Sequence, residues 1–144
     1  MGFASHLGPW RLGTVLNTTG TTAGSVRNMG CTTVTQSIPL VASSAVTLMI
    51  PAGSLVHDIQ TYMTTGASGT PAVTIGGVEV GTLSTAAGLN ELSANATNIA
   101  TLINVGTTDK LLSYTATAAS AGTLAILYTV RADDGSENPT AQQA

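Results

Sequence analysis

Hydrophobic and polar positions alternate most clearly between Ser44 and Thr65. Val46, Leu48 and Ile50 interleave with Ala45, Thr47 and Met49, the period of two that a pleated strand requires. Pro51-Ala-Gly-Ser then breaks the pattern. Proline fixes φ and lacks an N–H, and glycine tolerates positive φ, so this tetrapeptide is turn chemistry. A second strand is predicted from Leu55, with Leu55, Ile59 and Met63 on one face and Val56, Asp58, Gln60 and Tyr62 on the other.

The same grammar extends along the chain. Cys31-Thr-Thr-Val-Thr-Gln-Ser-Ile predicts a first core strand, which Pro39 ends or makes an edge. Thr65 to Pro71 is a glycine-rich turn. Ala72–Ile75 and Val78–Leu83 flank Gly76-Gly77, a two-residue hairpin signal, since two glycines can adopt a primed turn. Residues 84–108 are ambiguous. Leu89, Leu92, Ala96 and Ile99 follow a helical spacing, yet Thr97, Ile99, Thr101 and Ile103 alternate. The expectation there is a loop or short helical turn, then a strand near Ile99–Val105. Lys110 to Thr117 and Thr123 to Arg131 predict the last two strands, joined by Ala119-Ser-Ala-Gly, with Leu124, Ile126, Tyr128 and Val130 sharing one face.

Seven to nine short strands separated by turns predict an all-β, antiparallel sandwich over residues 31–132, jelly-roll-like or immunoglobulin-like, without the Cys…Trp…Cys core of an antibody-type domain. Residues 1–30 read as an extended arm and 133–144 as a polar tail. The arm is rich in Gly, Thr, Ser and Asn, yet it carries Phe3, Leu7, Trp10, Leu12, Val15 and Leu16. It holds the chain's single Phe and single Trp, and Arg11 and Arg27 are two of its four basic residues. Disordered segments are poor in such anchors. Phe3, Leu7, Trp10, Arg11 and Arg27 are therefore the candidate interface, on a partner subunit or on the chain's own sandwich, because Trp and Arg are typical interface anchors.

Composition changes this picture in one respect. Charged residues are 8% of the chain and the net charge is −3, against ~25% charged residues in an ordinary soluble domain. Four Lys and Arg cannot form a phosphate-tracking stripe, which argues against a nucleic-acid partner. So neutral a surface has little electrostatic protection against association, so the chain is expected to work in an assembly. No apolar run approaches the ~18 residues of a membrane span, and Met1-Gly-Phe-Ala-Ser-His has neither the basic nor the apolar region of a secretory signal.

Candidate chemistry is sparse. Cys31 is the single cysteine and has no internal disulfide partner. Seven carboxylates are spread thinly, and the Asp133-Asp134 pair lacks the spacing of a calcium loop. His57-Asp58 is the nearest acid–base pair, but strand neighbours point to opposite faces, so the two side chains should diverge. No Gly-x-Ser-x-Gly elbow, nucleotide loop or zinc-ligand cluster occurs. The expectation is a non-enzymatic structural module with no cofactor, no metal and no catalytic residues.

Two segments carry a family resemblance. The run from Gly8 to Gly30 resembles the opening of small virion proteins in tailed bacteriophages. Ile50-Pro-Ala-Gly-Ser and the strand after it resemble the Ile-Pro-Ala-Gly-(Ser/Thr) turn-and-strand of phage head and tail components, which a Gly-Thr-rich turn and a hairpin often follow, here Gly66 to Leu83. The resemblance implies a head decoration, or cement, protein. Such proteins are β-sandwiches on the outer surface of an icosahedral shell, commonly homotrimers that clamp neighbouring capsomers. The implied partners are a major capsid protein and further copies of the chain. The implied location is the virion, after synthesis in the host cytoplasm. A tail- or fibre-associated virion component and a carbohydrate-binding module are the alternatives.

Overall fold

The computed structural model describes residues 32–131. Nine strands are present among them: β1 (Thr32–Leu40), β2 (Ala45–Ile50), β3 (Leu55–Thr65), β4 (Ala72–Ile75), β5 (Val78–Thr82), β6 (Gly88–Glu91), β7 (Ser93–Ala94), β8 (Lys110–Thr115) and β9 (Ala121–Val130). A 3-10 turn at Ala96–Asn98 leads into one short helix, α1 (Ile99–Ile103). The predicted arm, and with it Phe3, Leu7, Trp10, Arg11, Arg27 and Cys31, lies outside the described residues, as does the tail.

The strands form two antiparallel sheets, β1-β9-β3-β6 and β2-β8-β4-β5-β7. With the two-residue β7 set aside, the pairing is that of a long hairpin rolled up on itself. β1 pairs with β9, β2 with β8, β3 with β6 and β4 with β5. The roll closes where β9 also pairs with β3, and β8 with β4. This is jelly-roll connectivity, one of the two sandwich arrangements compatible with the strand pattern.

The core lies between the sheets. Ile59, Met63, Leu124, Ile126 and Tyr128 come from one, and Ile50, Val73, Ile75, Leu112 and Tyr114 from the other, all buried. Strict alternation supplies them. Along β1, Val34, Gln36, Ile38 and Leu40 turn inward while Thr33, Thr35, Ser37 and Pro39 turn out. β1 pairs only with β9, so Pro39 sits on an edge strand, where a missing N–H is tolerated. Inward Gln36 donates through Nε2 to the Tyr128 hydroxyl, which satisfies a buried phenol from the edge of the sheet.

Gly76 and Gly77 form the β4–β5 turn with φ of 59° and 82°, the positive pair that a type I′ turn demands.

Two expectations are corrected. First, the faces of β3 reset. Val56 is buried with Ile59, Thr61 and Met63 instead of lying opposite them. A bulge between Val56 and Asp58 inserts His57 as an extra residue against β9, and an extra residue shifts the alternation by one. Second, residues 84–108 contain β6, β7, the 3-10 turn and α1, with no strand at Ile99–Val105. Asn95 decides the second case. Its side chain accepts from the Thr97 N–H at 3.0 Å, a helix cap. The Asn104 N–H closes the helix onto the Ala100 carbonyl at 3.0 Å. Within α1 only Leu102 is buried, and Val105 follows it into the core just past the helix, so one side chain from this single turn reaches the core and no alternating face is needed.

Candidate functional site

The Ile-Pro-Ala-Gly-Ser corner is fastened to the sandwich at Gly106, Asp109 and Arg131. Gly53 takes φ of 71°, in the left-handed region that favours glycine. The Ala52 N–H donates to Asp109 Oδ1 at 2.9 Å, and the Gly53 N–H to the Gly106 carbonyl at 2.8 Å. Arg131 Nε donates to the Gly53 carbonyl at 2.8 Å. Its Nη2 donates to the Ile103 carbonyl, so one guanidinium ties the end of β9 to the corner and to the last turn of α1, where a cation suits exposed helix carbonyls. Ser54 is fully buried, and its hydroxyl has no hydrogen-bond partner. Asp109 and Arg131 thus serve architecture, a role that the pattern of the sequence did not disclose.

Beyond the corner, the bulge brings His57 and Asp58 to the same side of β3. Val56 and Ile59 point into the core, while His57 is exposed and Asp58 half-buried. The expected divergence of these neighbours therefore fails, for the reason that moved Val56. His57 Nε2 lies 2.6 Å from Thr129 Oγ1, which fixes the ring across the bulge.

Next to this bulge lies an apolar groove of about 270 Å³. Leu55, Ile59, Leu92, Ile99, Leu102 and Ile103 line it, with His57 and Asp58 at its rim. It exists because β6 is short. β6 pairs with β3 only from Gln60 to Met63, so the first half of β3 has a strand neighbour on the β9 side alone. α1 stands where the missing strand would run, and its Ile99 and Ile103, one turn apart, are 43% and 55% exposed. Neither the groove nor its exposed isoleucines follows from the alternation of the sequence.

A second, smaller depression of about 190 Å³ lies on the outer face of the same sheet, lined by Thr35, Asp58, Gln60, Tyr62 and Leu127. Tyr62 is exposed and its hydroxyl donates to Gln60 Oε1 at 2.8 Å. The other two tyrosines are buried, as the faces of their strands predict. Burial pushes the Tyr114 phenol above its ordinary pKa, because the charged phenolate loses its hydration there.

Buried hydroxyls also form a network at the other end of the sandwich. Thr85 Oγ1 donates to the Ala67 carbonyl at 2.8 Å and accepts from Thr117 Oγ1 at 3.1 Å. Thr117 Oγ1 lies 2.9 Å from Ser120 Oγ. The glycine-rich turn is held to two strand connections by these contacts.

Among the described residues, no three His, Cys, Asp or Glu side chains come together as a metal site would require, and no helix is long and apolar enough to cross a membrane. Asp133 and Asp134 lie outside the described residues. No family model, curated protein or solved structure matches the chain.

Proposed function

We propose that this chain is a non-enzymatic virion structural protein, a capsid decoration or cement protein. In this reading it binds the outer surface of a phage head as a homotrimer and clamps neighbouring capsomers of the major capsid protein. Phe3, Leu7, Trp10, Arg11 and Arg27 supply anchors to the clamp.

The observation that carries the reading is the outer face of the five-stranded sheet. Register sets Thr47, Ser113, Thr74 and Glu79 in one row across β2, β8, β4 and β5, and Met49 beside Leu111 in another. Met49 and Leu111 are exposed, and Glu79 is the only charged side chain in these two rows. Such a broad, nearly neutral face suits a shallow protein surface more than a small ligand, which favours a concavity. The jelly-roll connectivity and the phage-like corner support it further. A ligand selective for the expanded shell stabilises that shell by its binding free energy, and several attachment points per oligomer raise affinity without strong single contacts.

The test is co-sedimentation with expanded empty capsids. Saturable binding at a fixed copy number per capsomer is expected, and deletion of residues 1–16 is expected to abolish it while the sandwich stays folded. No co-sedimentation, or binding to isolated tails instead, would overturn the head reading. The Tyr62 depression favours one further reading, a carbohydrate-binding module, because an exposed ring beside polar side chains can stack on a sugar. A glycan array that responds to the wild-type protein, and not to Tyr62→Ala, would establish it.

A further inference from the structure

We propose that the groove between β3 and α1 is the seat of the chain's own N-terminal segment, residues 3–16, in the free protein. The proposal stands on the fold and does not rest on the capsid reading.

The groove is the gap left between the first half of β3 and α1, where β6 does not extend. β3 is an interior strand, yet along Leu55–Ile59 it has no strand partner on the side facing α1, where the Leu92 N–H donates to the Ile59 carbonyl at 3.0 Å. The wall opposite is apolar and half-open, because Ile99 and Ile103 face out from α1 while Leu102 reaches the core. Arg131 holds that wall in place through the Ile103 carbonyl. A slot that is apolar and open to solvent favours an apolar occupant.

The topology says which occupant can reach it. Thr32, the first described residue, is paired with Val130, and Thr33 with Thr129. Thr129 is also the partner of Leu55, at the mouth of the groove. The chain outside the described residues therefore joins the sandwich at the end where the groove lies. From β1 across β9 and β3 to the slot is three strand positions, roughly 15 Å at about 4.8 Å each. About five extended residues cover that distance, and 31 residues precede Thr32.

Composition then chooses between the two ends of the chain. Residues 132–144 leave from the same end of β9, but they contain no Val, Ile, Leu, Met or aromatic residue. The N-terminal segment carries Phe3, Leu7, Trp10, Leu12, Val15 and Leu16. A tethered segment meets its own groove at a far higher effective concentration than it meets a second molecule, so the seat is filled within one chain.

Trp10 is the single tryptophan of the protein, so its fluorescence reports on the segment alone. In the free full-length protein its emission is expected to be blue-shifted and protected from iodide. Ile103→Asp and Ile99→Asp each change an exposed side chain and should leave the sandwich folded by circular dichroism. Each is expected to shift the emission to the red and to expose it to quencher. Red, quenchable emission in the wild type, or blue emission unchanged in both variants, overturns the proposal. A second measurement fixes the connectivity. In a Cys31→Ser background, cysteines replacing Leu12 and Ile103 are expected to cross-link within a monomer. A cross-linked dimer would seat the segment on another copy and would also overturn it. Neither measurement involves a shell, so failure here and failure of capsid binding are separate results.

Discussion

Arg131 and Ser54 show how little of this protein's chemistry is spare. Arg131 spends its guanidinium on two carbonyls, those of Gly53 and Ile103. Arg131→Met keeps much of the aliphatic stem and loses both bonds. It is expected to lower stability by about 1–2 kcal/mol in urea unfolding, and an unchanged midpoint would show that the staple contributes nothing. Ser54 is the opposite case. A buried hydroxyl with no partner carries its desolvation cost without return, so Ser54→Ala should be neutral or stabilising by up to about 1 kcal/mol; a loss of that size would reveal a partner. Tyr114 gives a pH prediction. Its pKa is raised by burial, so the unfolded chain ionises first, near pH ~10, and holds fewer protons than the folded state above that point. The contribution is intact below pH ~10 and is lost as pH rises beyond it. Tyr114→Phe removes this contribution. Its stability should therefore fall less steeply above pH ~10 than that of the wild type, and parallel curves would contradict the assignment.

At the scale of elements, turns and strand lengths decide where surfaces open. The β4–β5 hairpin turns on positive φ, and a Cβ at Gly77 would meet nothing within 4 Å. Gly77→Ala thus isolates the backbone cost, expected at about 1 kcal/mol by urea unfolding. A neutral result would mean that the turn relaxes to another type. β6 illustrates the reverse dependence. Leu89 is exposed and β6 has no apolar alternation of its own. It is a strand because β3 offers it four register partners, Gln60 to Met63. Where β6 ends, α1 takes over, and the groove is the gap between α1 and the first half of β3.

For the molecule as a whole, low charge and broad neutral faces point toward association. Met49 and Leu111 stand side by side on one outer face, with few charges around them to repel a second copy. Light scattering at rising concentration is expected to report particles larger than the 14.4 kDa chain. Met49→Lys with Leu111→Lys should return them to monomer size if this face is the contact. A wild-type protein that stays monomeric throughout would count against the assembly.

The sequence by itself determined the sandwich. Alternation placed β2, β3, β8 and β9, and the paired glycines placed the β4–β5 turn, because these features depend on neighbours within a few residues. Jelly-roll pairing was legible only as a class, since many sheet orders satisfy the same alternation. The tertiary structure alone decided the rest. The bulge at His57 arises from fitting β3 against β9, and it moved Val56 inward and His57 outward against the local period. β6 became a strand through its partner, and Asn95 capped a helix where branched residues alternate like a strand. The groove and the Asp109 and Arg131 staples join residues from Ala52 to Arg131. No window of local sequence contains such contacts, because their free energy exists only once the sheets have closed.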